Sequence, residues 1–149
     1  MSPSIRAMMF SALLATSNML WAAAAPSTDL RPPTEQYRAA TLARLGQCQY
    51  SRVLAQRNAQ AGQAQTEDAD YRACSAALRA SAPAALKRVL QVSPGKALKQ
   101  AIRSFHATFL KGLDGLEPLT GESDEAYQSR QLDLVNAINI AWEAVENNR

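Results

Sequence analysis

Apolar residues recur at intervals of three and four along most of the chain, and that period restricts its fold more than any other feature. Tyr37, Leu42, Leu45 and Cys48 share one broad face that continues toward Val53 and Leu54. Tyr71, Cys74 and Leu78 repeat the pattern, and Leu98, Ile102, Phe105, Phe109 and Leu110 form a third stripe. Tyr127, Leu134, Ile138, Trp142 and Val145 form a fourth. From residue 26 onward there are 22 Ala and 14 Leu against 5 Val and 3 Ile, which favours helix over sheet. Four amphipathic segments with no credible strand predict an all-α bundle of about four helices, most simply up-down-up-down.

Local signals set the expected boundaries. Pro32-Pro33-Thr34-Glu35 predicts a helix start with Thr34 as N-cap and Glu35 in the first turn. The first helix is expected to end near Asn58, in a polar stretch that runs to Gln65, and the second to start at Thr66-Glu67-Asp68. Ser81-Ala82-Pro83 predicts a kink or restart, since an interior proline loses a hydrogen bond and clashes with the preceding turn. Ser93-Pro94 reads as the next boundary, with Ser93 as N-cap and Pro94 in the first helical position. Residues 112–121 hold three glycines and a proline, which predicts a loop whose Leu113, Leu116 and Leu119 tuck inward. Ser123-Asp124-Glu125 opens the last helix.

The first 25 residues read as an address. One positive side chain, Arg6, precedes the run Ala7-Met8-Met9-Phe10-Ser11-Ala12-Leu13-Leu14-Ala15, and Trp21-Ala22-Ala23-Ala24-Ala25 leads to Pro26. This is the charged, apolar, small-residue order of a secretory signal peptide, with cleavage expected near Ala23 to Ala25. Thr16-Ser17-Asn18 interrupts the apolar run and argues against a membrane anchor. Cleavage would remove all four methionines and leave residues 26–149 as a single helical domain without a transmembrane anchor, periplasmic or secreted.

Cys48 and Cys74 are the only cysteines, and in an exported chain an even pair is expected to form a disulfide. At 1.5 Å rise per residue, Cys48 falls roughly 15 Å and Cys74 roughly 11 Å from the turn between the first two helices, nearly one level of a helical hairpin. A redox or metal pair would show Cys-x-x-Cys or nearby histidine, and neither is present.

Charge is segregated. Residues 26–111 hold 13 Lys or Arg against 5 Asp or Glu, whereas residues 112–149 hold 2 against 8. Lys87, Arg88, Lys96, Lys99, Arg103 and Lys111 form a basic strip with no acid between them. The simplest expectation is that the acidic last helix packs beside the basic third one and the charges largely answer each other. Otherwise the strip offers a surface to an anionic partner.

Catalytic patterns are sparse. No Cys-x-x-Cys-His, Glu-x-x-His or nucleophile-elbow pattern occurs, and His106 is the only histidine, read as a flank or packing residue beside Phe105. Asp114, Glu117, Glu122, Asp124 and Glu125 cluster where solvated, helix-starting acids are expected, without the alternation of a calcium loop. No enzyme activity, cofactor or metal is expected, and no nucleic-acid motif is present. The functional expectation is an exported, disulfide-stapled binding module of the inhibitor, immunity or adaptor type. Its partner would be another envelope or secreted protein, or an anionic envelope surface. The alternative is a periplasmic carrier or sensor of a small hydrophobic or anionic ligand held between helices.

Overall fold

The computed structural model describes residues 29–62 and 65–149, with the side chains of 65–68 left aside; the signal-peptide expectation for residues 1–25 lies outside the described residues. Four helices and no strand occur among those residues: α1 (Pro33–Gln60), α2 (Gln65–Val92), α3 (Lys96–Asp114) and α4 (Asp124–Glu146). The all-α expectation holds in this form.

Two helix starts differ from the sequence reading. Thr34 lies buried within the first turn of α1, and Pro32 holds the N-cap position while Pro33 occupies N1. The first backbone donors of a helix are unpaired in any case, so proline fits there without loss. Ser93 does not cap α3 but closes α2, its buried hydroxyl donating to the Val89 carbonyl at 2.7 Å. Gly95, at φ 70°, is the N-cap of α3, a backbone setting that glycine adopts without steric cost. Ser123 does cap α4, its hydroxyl accepting from the Ala126 amide at 3.2 Å.

Pro83 does not restart α2, which runs through it from Gln65 to Val92. The loop expected from residue 112 begins only after Asp114, because Gly112 and Leu113 remain helical. Two of its three leucines are buried, Leu113 and Leu116, while Leu119 is 62% exposed. The glycines have a packing reason as well. A Cβ at Gly112 would lie 2.9 Å from the Ile138 side chain, and one at Gly115 would collide with Leu134, so their bareness lets α4 approach α3 closely.

The backbone of α1 packs on α2 and that of α3 on α4, while α3 also touches α2 and α1. Among the described residues, α4 meets no backbone but that of α3. Side chains join α1 to α4 instead. Arg149 Nη1 lies 2.6 Å from Glu35, the Arg38 guanidinium sits 5.0 Å over the Trp142 ring, and Gln56 reaches Asp124 at 3.4 Å. The buried side chains form two joined layers. Phe105 stands between Tyr37 and Trp142, edge-on to both, with Ile102, Ile138 and Val145 around them. Phe109, Leu113, Leu116, Tyr71 and Leu78 surround Cys48 in the other layer. Cys48 and Cys74 lie at disulfide distance with Cα atoms 5.5 Å apart, at the level expected for a tied α1–α2 hairpin.

Candidate anionic-partner surface

The six cations of the basic strip do not share one face. Lys87 on α2 and Lys99 and Arg103 on α3 line a single open cleft between these helices, about 470 Å³ in volume. Arg88, one residue from Lys87 and therefore about 100° around the helix, points instead to the α1 side, where it lines a cleft with Tyr37 and Ala40. Lys96 and Lys111 are exposed on α3 outside the α2–α3 cleft. The cleft contains no carboxylate; Pro83, Leu86, Leu90, Gln91 and His106 complete its lining.

The acidic half of the chain makes no direct ion pair with the strip among the described residues. Among the described residues none of the six cations takes part in an ion pair, although α3 and α4 are neighbours. The carboxylates near that junction have other partners. Asp114 pairs with Arg79 of α2, and Glu122 accepts from both Arg130 Nε at 2.7 Å and Arg130 Nη2 at 2.6 Å. The Arg130 guanidinium and the Leu119 amide together hold the Glu122 carboxyl down at about 2, well below its ordinary range. Arg130 also donates to the Gly115 and Glu117 carbonyls at 2.7 and 2.9 Å, and so clasps the α3–α4 connection.

The five clustered acids are therefore divided rather than assembled. Asp114 and Glu117 line a cleft with Tyr71 and Arg79, Glu122 is engaged by Arg130, and Asp124 lies across the bundle beside Gln56. Glu125 is exposed on the first turn of α4. No group of three or more His, Cys, Asp or Glu residues is placed to hold a metal ion among the described residues.

His106 packs as the sequence reading expected, and it also has a hydrogen-bond partner that reading did not foresee. It is buried, 8% exposed, and its Nδ1 lies 2.5 Å from the Tyr37 hydroxyl. Burial pushes its pKa down and pushes that of Tyr37 up to about 12. The sequence reading missed this pair because its members lie 69 residues apart on different helices. The only available signal was that both fall on apolar stripes, where a polar tip requires a partner.

A second cleft lies along the α1–α4 seam, about 580 Å³ in volume, lined by Gln49, Val53, Gln56, Tyr127, Gln131, Leu132 and Val135 among others. It exists because α1 and α4 are bridged by side chains without backbone contact. No described helix is long and apolar enough to cross a membrane. Set against known proteins, the chain matches no family model, no curated protein and no solved structure.

Proposed function

We propose that this chain is an exported helical binding module that presents its α2–α3 face to an anionic partner of the bacterial envelope, a protein or the envelope surface itself. The observation that carries this reading is the cleft in which Lys87, Lys99 and Arg103 converge with no carboxylate among them. Unpaired like charges on a rigid surface raise the local concentration of an anionic partner and orient its approach. In this reading residues 1–25 are the signal peptide and residues 26–149 are one domain, with the Cys48–Cys74 pair oxidised in the periplasm or outside the cell. The helices run up-down-up-down, a reading supported by the contacts of Cys48 with Cys74, Arg79 with Asp114 and Glu35 with Arg149. The module acts by binding rather than catalysis, without cofactor or nucleic acid, as an inhibitor, immunity protein or adaptor.

Co-sedimentation of the exported chain with envelope fractions at low salt tests this. Reversing Lys87, Lys99 and Arg103 to Glu is expected to weaken retention by about tenfold or more, since each removed cation takes a charge-assisted contact with it. Unchanged retention would end the proposal.

A second reading, a carrier of a small hydrophobic ligand, is favoured by the α1–α4 seam, where Val53, Leu132 and Val135 lie exposed beside a row of glutamines. It predicts a thermal shift with members of a lipid and metabolite panel and a bound mass in native mass spectrometry of the purified protein. A bare chain and a flat panel would remove it.

A further inference from the structure

His106 is the only histidine of the chain, and it lies where the buried core meets the cationic α2–α3 cleft. Its Nδ1 is taken by Tyr37, reached from α1 at 2.5 Å. Burial pushes the Tyr37 phenol up to about 12, so it keeps its proton at neutral pH, and burial pushes His106 down, so the ring is neutral there. An imidazole nitrogen is a stronger acceptor than a phenol oxygen, so Tyr37 donates to Nδ1 and the ring's own proton stands on Nε2. No described residue hydrogen-bonds that Nε2, and the ring lines the cleft. Tyr37 thus fixes a neutral donor at the cleft wall.

The two helices align the rest. Lys99, Arg103 and His106 follow one another at i, i+4 and i+7 on α3, a single face. Pro83, Lys87 and Leu90 have the same spacing on α2, with Leu86 beside them, and all four line the opposite wall. One wall therefore carries two cations and a neutral N–H donor, and the other carries Lys87 and Gln91 beside three apolar side chains. A lone inorganic anion would leave the apolar wall unused, and a neutral amphiphile would leave the cations unused.

We propose that this cleft binds a single-chain anionic lipid. Its oxyanion headgroup accepts from His106 Nε2 beside Arg103, with Lys99 and Lys87 adding positive charge along the cleft, and its chain lies along Pro83, Leu86 and Leu90. The inference rests on the α2–α3 face being the binding surface and narrows the partner to one chemistry. It also gives Tyr37 a positioning role, acting through His106.

The single histidine makes the test direct. The exported, oxidised chain labelled with 15N-histidine is titrated with dodecyl phosphate below its micelle concentration, with inorganic phosphate, and with dodecyl maltoside as the neutral amphiphile. Dodecyl phosphate is expected to shift the Nε2 resonance saturably and to bind about tenfold or more tightly than either control. By isothermal titration calorimetry, which also reads variants that lack the histidine, Lys99→Glu should weaken binding by about tenfold or more, and His106→Leu comparably. His106→Gln, which keeps an N–H near the Nε2 position, should retain binding to within a few fold. This rescue separates headgroup recognition from a general effect on folding, which thermal melts of each variant check directly.

Inorganic phosphate binding as tightly as dodecyl phosphate would overturn the lipid assignment, and dodecyl maltoside doing so would overturn the anion. Charge-dependent binding of dodecyl phosphate with His106→Leu unaffected would remove His106 from the site. No binding of dodecyl phosphate, with envelope retention still sensitive to charge reversal, would sink this inference and leave the broader binding reading standing. Insensitive retention would end that reading as well.

Discussion

Arg130 shows how one side chain can stabilise a connection that backbone regularity cannot. The segment between α3 and α4 lacks repetitive backbone hydrogen bonding, and Arg130 supplies donors to Gly115 and Glu117 carbonyls while gripping both carboxylate oxygens of Glu122. Tyr127 and Gln131 add donors to the Leu116 and Gly115 carbonyls, at 2.9 and 2.5 Å. The pairing has a pH signature. Glu122 is held at about 2 in the fold against an ordinary value of 4.5, so the unfolded chain takes up its proton at higher pH than the folded one. Its contribution is complete above about 4.5 and is lost as pH falls toward about 2. Replacing Arg130 with Ala is expected to lower Tm at pH 7 and to flatten the decline of Tm across that acid window, measured by circular dichroism melts. An acid limb as steep as that of the parent would show that Glu122 is stabilised by something other than Arg130.

At the scale of elements, α2 tolerates what its sequence argues against. Pro83 sits inside the helix, where it removes a backbone donor and crowds the carbonyl four residues before it. Burial on both sides of the proline, at Ala82, Leu78 and Val89, holds the helix continuous across it. Pro83→Ala should therefore stabilise the chain, by about 3 kcal/mol from helix propensity, read as a higher denaturant midpoint. A loss of stability would mean that the proline ring contributes contacts worth more than the hydrogen bond it removes. The cysteine pair ties α2 to α1 across a sequence separation of 26. Its reduction is expected to cost about 3 kcal/mol by releasing the unfolded chain from loop closure. Urea unfolding with and without reductant would measure this, and coincident curves would refute it. The helix ends teach a further lesson. Ser93 was legible as a boundary residue but not as the one that closes α2, because a serine hydroxyl serves either side of a break and only the path of the chain decides which.

The whole molecule separates charge without cancelling it. Lys87, Lys99 and Arg103 face a cleft without carboxylates, while the nearby acids are engaged by Arg79 and Arg130 or stand exposed on α4. Binding through that face should accordingly weaken steeply with ionic strength, since exposed charges are screened over about 8 Å at physiological salt. Retention on envelope fractions that is equal at about 20 mM and about 500 mM sodium chloride would contradict a charge-led contact, because the screening length differs severalfold between them. The sequence by itself determined the helical class, most of the four stripes (Val53 of the first stripe is exposed) and the pairing level of Cys48 with Cys74. These depend on a period of 3.6 residues and a rise of 1.5 Å, which are properties of the isolated helix. It also identified the basic strip as a list of residues. Only the tertiary structure decided which of them converge, bringing Lys87 of α2 across to Lys99 and Arg103 of α3, while Arg88, set about 100° from Lys87 by the helix itself, meets α1. The same holds for His106 and Tyr37, read from sequence as packing residues and found joined across 69 positions. Helical periodicity fixes the angle of each side chain about its own axis, but which neighbour that side chain meets depends on how the axes pack, through contacts between residues far apart in the chain.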